Sequence, residues 1–229
     1  MELPLKRSRK RPEQEGLVIF DFDGVIVDTI NIALCAIQAA GFTLNRAEFL
    51  KLFEGNFYES IYRRKEFNKR ETNRRLAMFF FHYQQSAQEA KPFDGMCDAI
   101  ECTKERAKIA IVSSIPSGPI DEFLKKNRLR QHVSLILGAE IAHDKVTKLR
   151  MAHRVTPNAA WKFFATDTLG DLREARRLRD LDLARYGVTW GYHDRTTLLR
   201  GKPHGLIEHP TWFIEHVHAL STGIAPLPL

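Results

Sequence analysis

The apolar run Leu17-Val18-Ile19-Phe20 passes straight into Asp21-Phe22-Asp23-Gly24, and this junction limits the folds open to the chain more than any other stretch. An unbroken apolar run suits a strand buried on both faces of a parallel sheet. Carboxylates just beyond it lie where open α/β sheets bind their ligands. Burying two such acids is costly unless a cation or a chemical task holds them there.

The same pattern recurs down the chain. Residues 109–112 form a second apolar run and end in Ser113-Ser114. A third run, Leu135–Leu137, is closed by Gly138. A fourth, residues 163–165, leads into Thr166-Asp167-Thr168-Leu169-Gly170-Asp171. Residues 186–190 and 205–207 read as further strands. Helical patterns separate them: one after Asp28 or Thr29, either of which is a candidate cap, stopping at Gly41. Another starts at Asp144 and runs over residues 145–153, and a closing helix covers 211–220. The residues between 172 and 178 place Leu172, Ala175 and Leu178 on one inward face. Strands alternating with helices predict a Rossmann-like α/β fold, a parallel sheet with helices on both faces.

One region breaks the alternation. Asn45-Arg46-Ala47-Glu48 is a capping box opening a short helix over residues 49–53, and Gly55-Asn56 interrupts it. Residues 59–90 are helical in pattern, with Leu76, Phe79, Phe80 and Tyr83 three and four apart; Met78 and Phe79-Phe80-Phe81 read as its core. The expected organisation is a basic arm (residues 1–15), an α/β core (16–40 and 92–229) and an inserted helical cap (41–91).

Composition removes several function classes. At 44% hydrophobic and 28% charged, the chain has no apolar run near the ~18 residues a membrane span needs. Its first residues are charged and lack the apolar stretch of a secretory leader. Cys35, Cys97 and Cys102 form no CxxC pair, which argues against a disulfide framework or zinc site and points to a reducing cytoplasm. The net charge of +7 is concentrated in Lys6-Arg7-Ser8-Arg9-Lys10-Arg11 and in a cluster comprising Arg63, Arg64, Lys65, Lys69, Arg70, Arg74 and Arg75. Solvated surface is the simpler reading of both. Steering of an anionic substrate, or nucleic-acid binding by the arm, is the other, although no nucleic-acid motif accompanies either.

Right-handed crossovers bring every strand's carboxyl end to one edge. Asp21, Asp23, Ser113, Lys145, Asp167 and Asp171 therefore converge although they lie far apart in sequence. A carboxylate held in line can attack phosphorus. A phosphate dianion repels it, and Mg²⁺ held by carboxylates removes much of that repulsion. Asp21 and Asp167 can supply those carboxylates. Ser113 offers a hydroxyl and Lys145 an ammonium to phosphate oxygens, with Lys148 as the competing lysine. Asp23 is placed to protonate a leaving oxygen and then deprotonate water.

In this order, at successive strand ends, the motifs DFDGVIVDT, IAIVSS, KVTKL and FATDTLGD resemble those of the haloacid-dehalogenase-like (HAD) superfamily, in its phosphoglycolate phosphatase and β-phosphoglucomutase-like branch. GVTWGYH, residues 187–193, is similar to segments of the same branch. The resemblance implies that Asp21 is the nucleophile and Asp23 the acid/base, with the Asp23 carbonyl on Mg²⁺. It implies that Asp167, assisted by Asp171, completes the metal site, and that Ser113, Ser114 and Lys145 hold the phosphoryl group. It further implies that the helical insertion closes over a small phosphorylated substrate. An acid at Asp23 is absent from dehalogenase members, and phosphonatase-type members carry a small residue there. Phosphatase, phosphomutase and a non-catalytic, ligand-binding member stay open, with hydrolysis leading because nothing here protects an aspartyl phosphate from water. The KPxP form of the lysine motif is missing, and Thr166 stands where glycine is common.

Overall fold

The structure, a computed structural model, describes residues 15–222. The basic tail at 6–11 and the last residues, 225–229, lie outside that range. Six strands, β1 (Gly16–Phe20), β2 (Ala107–Val112), β3 (Leu135–Leu137), β4 (Trp161–Thr166), β5 (Ala184–Val188) and β6 (Gly205–Ile207), form one sheet in the order β3-β2-β1-β4-β5-β6. All pairings are parallel. This is the α/β architecture that the alternating pattern predicts.

The helices are α1 (Ile30–Ala39), α2 (Arg46–Lys51), α3 (Phe57–Arg63), α4 (Lys69–Ala87), α5 (Met96–Lys104), α6 (Ser117–Lys126), α7 (Lys145–His153), α8 (Leu169–Ala175), α9 (Arg195–Leu199) and α10 (Thr211–Thr222). A strand sends alternate side chains to opposite faces. Val18 and Phe20 accordingly join Met96, Phe123, Phe163 and Phe213 in the larger core. Leu17 and Ile19 join Leu149, Ala152, Phe164 and Ala175 on the other face. Burying β1 on both sides is what its unbroken apolar run requires.

Strand β1 has β2 on one side and β4 on the other, so the connections from it wind in opposite directions. Ligands in open α/β sheets bind at such a switch point. Phe20 lies opposite Ile111 and Ala165. The next residue, Asp21, donates its amide to the Ala165 carbonyl at 2.9 Å, which carries the acidic loop directly over the crevice.

The insertion is helical, but it is built from more pieces than its pattern implies. A short 3-10 turn, Leu52–Glu54, follows α2. The stretch expected to be helical over 59–90 is two helices, α3 and α4, broken at Lys65, whose φ is +55°. Each restart has its own cap: the Asn56 side chain accepts from the Glu59 amide, and Asn68 from Glu71. The predicted capping box is present in full at Asn45 and Glu48. Of the phenylalanine run, Phe79 is buried but Phe81 is 61% exposed, because three consecutive helical residues cannot share one face. Elsewhere β5 begins at Ala184, two residues earlier than expected, and Trp190 lies in the turn beyond it. Helix α8 ends at Ala175, although Leu178 is still buried.

Candidate active site

Four aspartates meet at the carboxyl edge of the sheet. Asp21 and Asp23 come from the loop after β1; Asp167 and Asp171 come from the end of β4 and the first turn of α8. Gly24 permits this crowding: its φ is +72°, and a Cβ there would lie 1.8 Å from Asp167 Oδ2. A bare backbone in the left-handed region is the only solution at that position.

Lys145, the first residue of α7, lies beneath the acids and is 2% exposed. Its Nζ stands 2.7 Å from Asp21 Oδ1 and 3.0 Å from Asp171 Oδ2, and it donates to the Val112 carbonyl at 3.0 Å. Burial opposes its charge, but the Asp171 and Asp21 carboxylates outweigh that and raise its pKa. Lys148, also buried, turns away and donates to the Ser113 carbonyl. Burial, then repulsion from Lys145, brings it down to about 8. Of the two competing lysines, Lys145 is the one against the acids.

Burial raises the Asp21 carboxyl well above the usual range, and Lys145 offsets this only in part. Burial also raises Asp23. Asp23 Oδ1 accepts from Tyr83 Oη and, at 2.7 Å, from Thr29 Oγ1; Oδ2 faces the Ser113 hydroxyl at 3.4 Å. Thr29 thus spends its hydroxyl on Asp23 and not on capping α1, and Asp28 is exposed; neither caps that helix through its side chain. Burial opposes the Asp171 charge too, yet Lys145 holds its pKa low. Asp171 is not the helix cap of α8, since Thr168 fills that role by accepting from the Asp171 amide.

Asp167 is different. Its Oδ2 accepts from the Tyr192 amide at 2.7 Å, while the buried Oδ1 has no hydrogen-bond partner. Burial pushes its carboxyl up to about 8. A buried, orphaned carboxylate oxygen among other acids is what a hard cation would satisfy. Among the described residues, no three His, Cys, Asp or Glu side chains form a ready-made cage. Mg²⁺ does not need one, because it is commonly bound by one or two carboxylates plus waters and substrate phosphates. The donor set fits Mg²⁺ on these grounds.

Ser113 and Ser114 begin the loop after β2. Ser113 Oγ accepts from the Ile115 amide at 3.2 Å, and the Ser114 carbonyl accepts from Tyr58 Oη at 2.9 Å. Asp21, Asp23, Ser113, Ser114, Asp167 and Asp171 line one pocket; neither Lys145 nor Lys148 lines it, but Lys145 pairs with Asp21 and Asp171 of its floor.

Several residues that the motifs do not mark complete the site. Tyr83, Phe57 and Phe79 reach in from the inserted helices, Phe53 from the turn before them, and Tyr192 from the loop after β5. Phe79 therefore lines the pocket as well as the insertion's core. Glu174 accepts from the Lys145 amide at 2.5 Å and from Asn56 Nδ2 at 2.7 Å, joining α7 to the insertion. His193 Nδ1 accepts from the Leu169 amide, so its Nε2–H donates to the Leu50 carbonyl at 3.1 Å. Arg173 donates to the Glu54 carbonyl at 2.6 Å. The insertion is thus held down over the acids, and the pocket keeps about 40 Å³ open to a water-sized sphere. The basic cluster on the insertion faces elsewhere: Arg63 pairs with Glu59, Arg64 with Glu66, and Arg74 and Arg75 with Glu71. None of its members lines the pocket.

Comparison with known proteins gives the chain a family. The family model described as haloacid dehalogenase-like hydrolase matches residues 18–161. A phosphoglycolate phosphatase of Synechococcus elongatus is 26% identical over 210 residues, covering 89% of this chain and 97% of that protein. Among solved structures, a hydrolase from Pseudomonas syringae superposes with a TM-score of 0.74 at 18% identity, covering 90% of this chain and 100% of the other. A haloacid dehalogenase-like hydrolase from Streptococcus pneumoniae gives 0.70 at 17%, covering 86% and 95%. These structural likenesses show the fold, while the model match extends from β1 to the start of β4. The chain belongs to the haloacid dehalogenase-like hydrolase family.

Proposed function

We propose that this protein is a Mg²⁺-dependent phosphatase that hydrolyses a small phosphorylated metabolite through an aspartyl phosphate. The observation that carries the reading is the division of labour between two acids on one loop. Asp21 has its carboxylate braced by Lys145 at 2.7 Å, and Asp23 is held apart from it by Tyr83 and Thr29. Kinship with a phosphoglycolate phosphatase supports the substrate class.

In this reading Asp21 Oδ2, which the Thr166 hydroxyl faces at 3.4 Å, attacks phosphorus. Lys145 stays on the other oxygen and prevents the nucleophile from rotating. The P–O bond to the alcohol breaks, and the departing oxygen takes a proton from Asp23. Burial raises the Asp23 pKa and so favours the protonated form that this step needs. Asp23, now a carboxylate, removes a proton from water, which attacks the aspartyl phosphate. Phosphate leaves and Asp21 is restored. The Ser113 hydroxyl and the amides after it, with Ser114, donate to the phosphoryl oxygens. Mg²⁺, held by the Asp21 and Asp167 carboxylates and the Asp23 carbonyl with Asp171 nearby, would neutralise phosphoryl charge that four acids otherwise repel. The inserted helices, residues 41–91 in our assignment, act as a cap that excludes water and selects the alcohol. The three cysteines are free, consistent with a cytoplasmic setting, and no helix among the described residues is long and apolar enough to cross a membrane.

The test is phosphate release from a panel of phosphorylated metabolites, with Mg²⁺ and with chelator. Release that depends on Mg²⁺ is expected. Equal release in chelator contradicts the metal assignment, and release that survives Asp21→Asn contradicts the nucleophile.

A further inference from the structure

The wall of the pocket facing the acids is aromatic and continuous. Phe53 stacks on Phe57 with ring centroids 5.2 Å apart and meets Tyr192 edge-on at 5.1 Å. Phe57 meets Phe79 at 5.9 Å, and Phe79 meets Tyr83 at 6.1 Å. Aromatic faces are negative and repel anions. The floor carries four aspartates, and no lysine, arginine or histidine lines the pocket.

The polar groups on the wall are already engaged. Tyr83 Oη donates to Asp23. Tyr192 Oη lies 3.3 Å from Thr29 Oγ1. Asn56 gives its amide hydrogens to the His143 carbonyl and Glu174, and its oxygen accepts from the Glu59 amide. A second anion on the substrate, beyond the phosphate, would meet no lysine, arginine or histidine among these lining residues, and the side chains of Tyr83, Tyr192 and Asn56 are committed elsewhere. Burying it there without a counter-ion is costly.

Resting on the phosphatase reading, we propose that the substrate is the phosphate monoester of a compact, uncharged alcohol with an apolar face, and that acid alcohols such as glycolate are discriminated against. The wall selects by exclusion: it offers ring contact to a neutral group and no cationic side chain to a carboxylate. This separates the chain from the specificity named for its 26%-identical relative.

A matched set of substrates tests the inference with the full chain and Mg²⁺: 2-phosphoglycolate, its uncharged amide, and benzyl phosphate. The expected kcat/KM is at least about tenfold higher for the amide and for benzyl phosphate than for 2-phosphoglycolate. Phe53→Lys, at a partly exposed position, puts a cation on the wall and is expected to narrow that gap by about tenfold, chiefly through KM for the acid. Titration of Mg²⁺-loaded Asp21→Asn protein with the three compounds should give the same order of affinity without turnover. Preference for 2-phosphoglycolate in both assays overturns the inference and leaves the phosphatase reading standing. Absence of release from all three and from every metabolite in the wider panel overturns that reading and the inference with it.

Discussion

Replacing Asp167 by Asn is expected to make the metal-free protein more stable at about pH 8. Asp167 is wholly buried, its Oδ1 has no partner, and its pKa stands at about 8. An unfolded aspartate titrates near 3.9. Because the folded pKa is the higher one, the folded state holds a proton that the unfolded state has released. Stability is therefore complete below about pH 4 and is lost as pH rises to about 8. Each pKa unit is worth about 1.4 kcal/mol, so about four units set a ceiling of about 5–6 kcal/mol. Neighbouring acids share the protons, and a gain of about 2–3 kcal/mol for the variant at pH 8 is the working expectation. Asn keeps an oxygen for the Tyr192 amide and carries no charge, so the gain should vanish near pH 4. Urea unfolding of parent and variant in chelator, compared at both pH values, reads this difference directly. Saturating Mg²⁺ should then stabilise the parent by about 2.7 kcal/mol or more at a hundredfold excess over Kd, and the variant much less. A variant less stable than the parent at pH 8 in chelator refutes the reasoning, as does equal stabilisation of both by Mg²⁺.

Other perturbations give distinct signatures. Lys145→Met leaves Asp21 and Asp171 buried without their counter-ion and should cost about 3–5 kcal/mol in the same unfolding assay at neutral pH; a loss under about 1 kcal/mol would mean that the ion pair is not maintained in solution. Gly170→Ala puts a Cβ 2.2 Å from the Gly55 carbonyl oxygen, between α8 and the insertion. It should cost about 1–3 kcal/mol and speed proteolysis within residues 41–91, and an unchanged digestion pattern would count against this close packing. Tyr83→Phe removes one donor from Asp23 while keeping the ring. We expect kcat to fall by about tenfold with KM nearly constant, because Tyr83 positions the acid and does not touch phosphorus; a change confined to KM would assign it to binding instead.

Much of the fold is written in local chemistry. The β1 run, the Asn45 capping box, Asp144 ahead of α7 and the Gly41 stop each depend on a few adjacent residues, and each appears as the sequence predicts. The α3–α4 break was hidden because helical spacing continues on both sides of it and Lys65 is not a residue that announces positive φ. Helix α9 is five residues long, too short for periodicity to register, though Asp194 caps it. The site divides the same way. Asp21, Asp23, Ser113, Lys145, Asp167 and Asp171 stand at strand ends or helix starts, where topology alone brings them together. Tyr83, Tyr192 and Glu174 do not. Tyr83 sits four residues after Phe79, so it reads as one more core position of α4. Its contact with Asp23 spans 60 residues and exists only once the insertion has docked. The arginines on the insertion read from sequence first as solvated surface and second as a steering patch; that Arg63, Arg64, Arg74 and Arg75 pair with Glu59, Glu66 and Glu71 depends on which helix face each occupies.

The central claim is that Asp21 attacks phosphorus. Its most direct test is to quench the protein during turnover of its best substrate with Mg²⁺, reduce the acyl phosphate with borohydride and map the converted residue by peptide mass spectrometry. The account predicts conversion at Asp21 alone, lost in Asp21→Asn. Conversion at another carboxylate, or turnover with no converted residue, would contradict it.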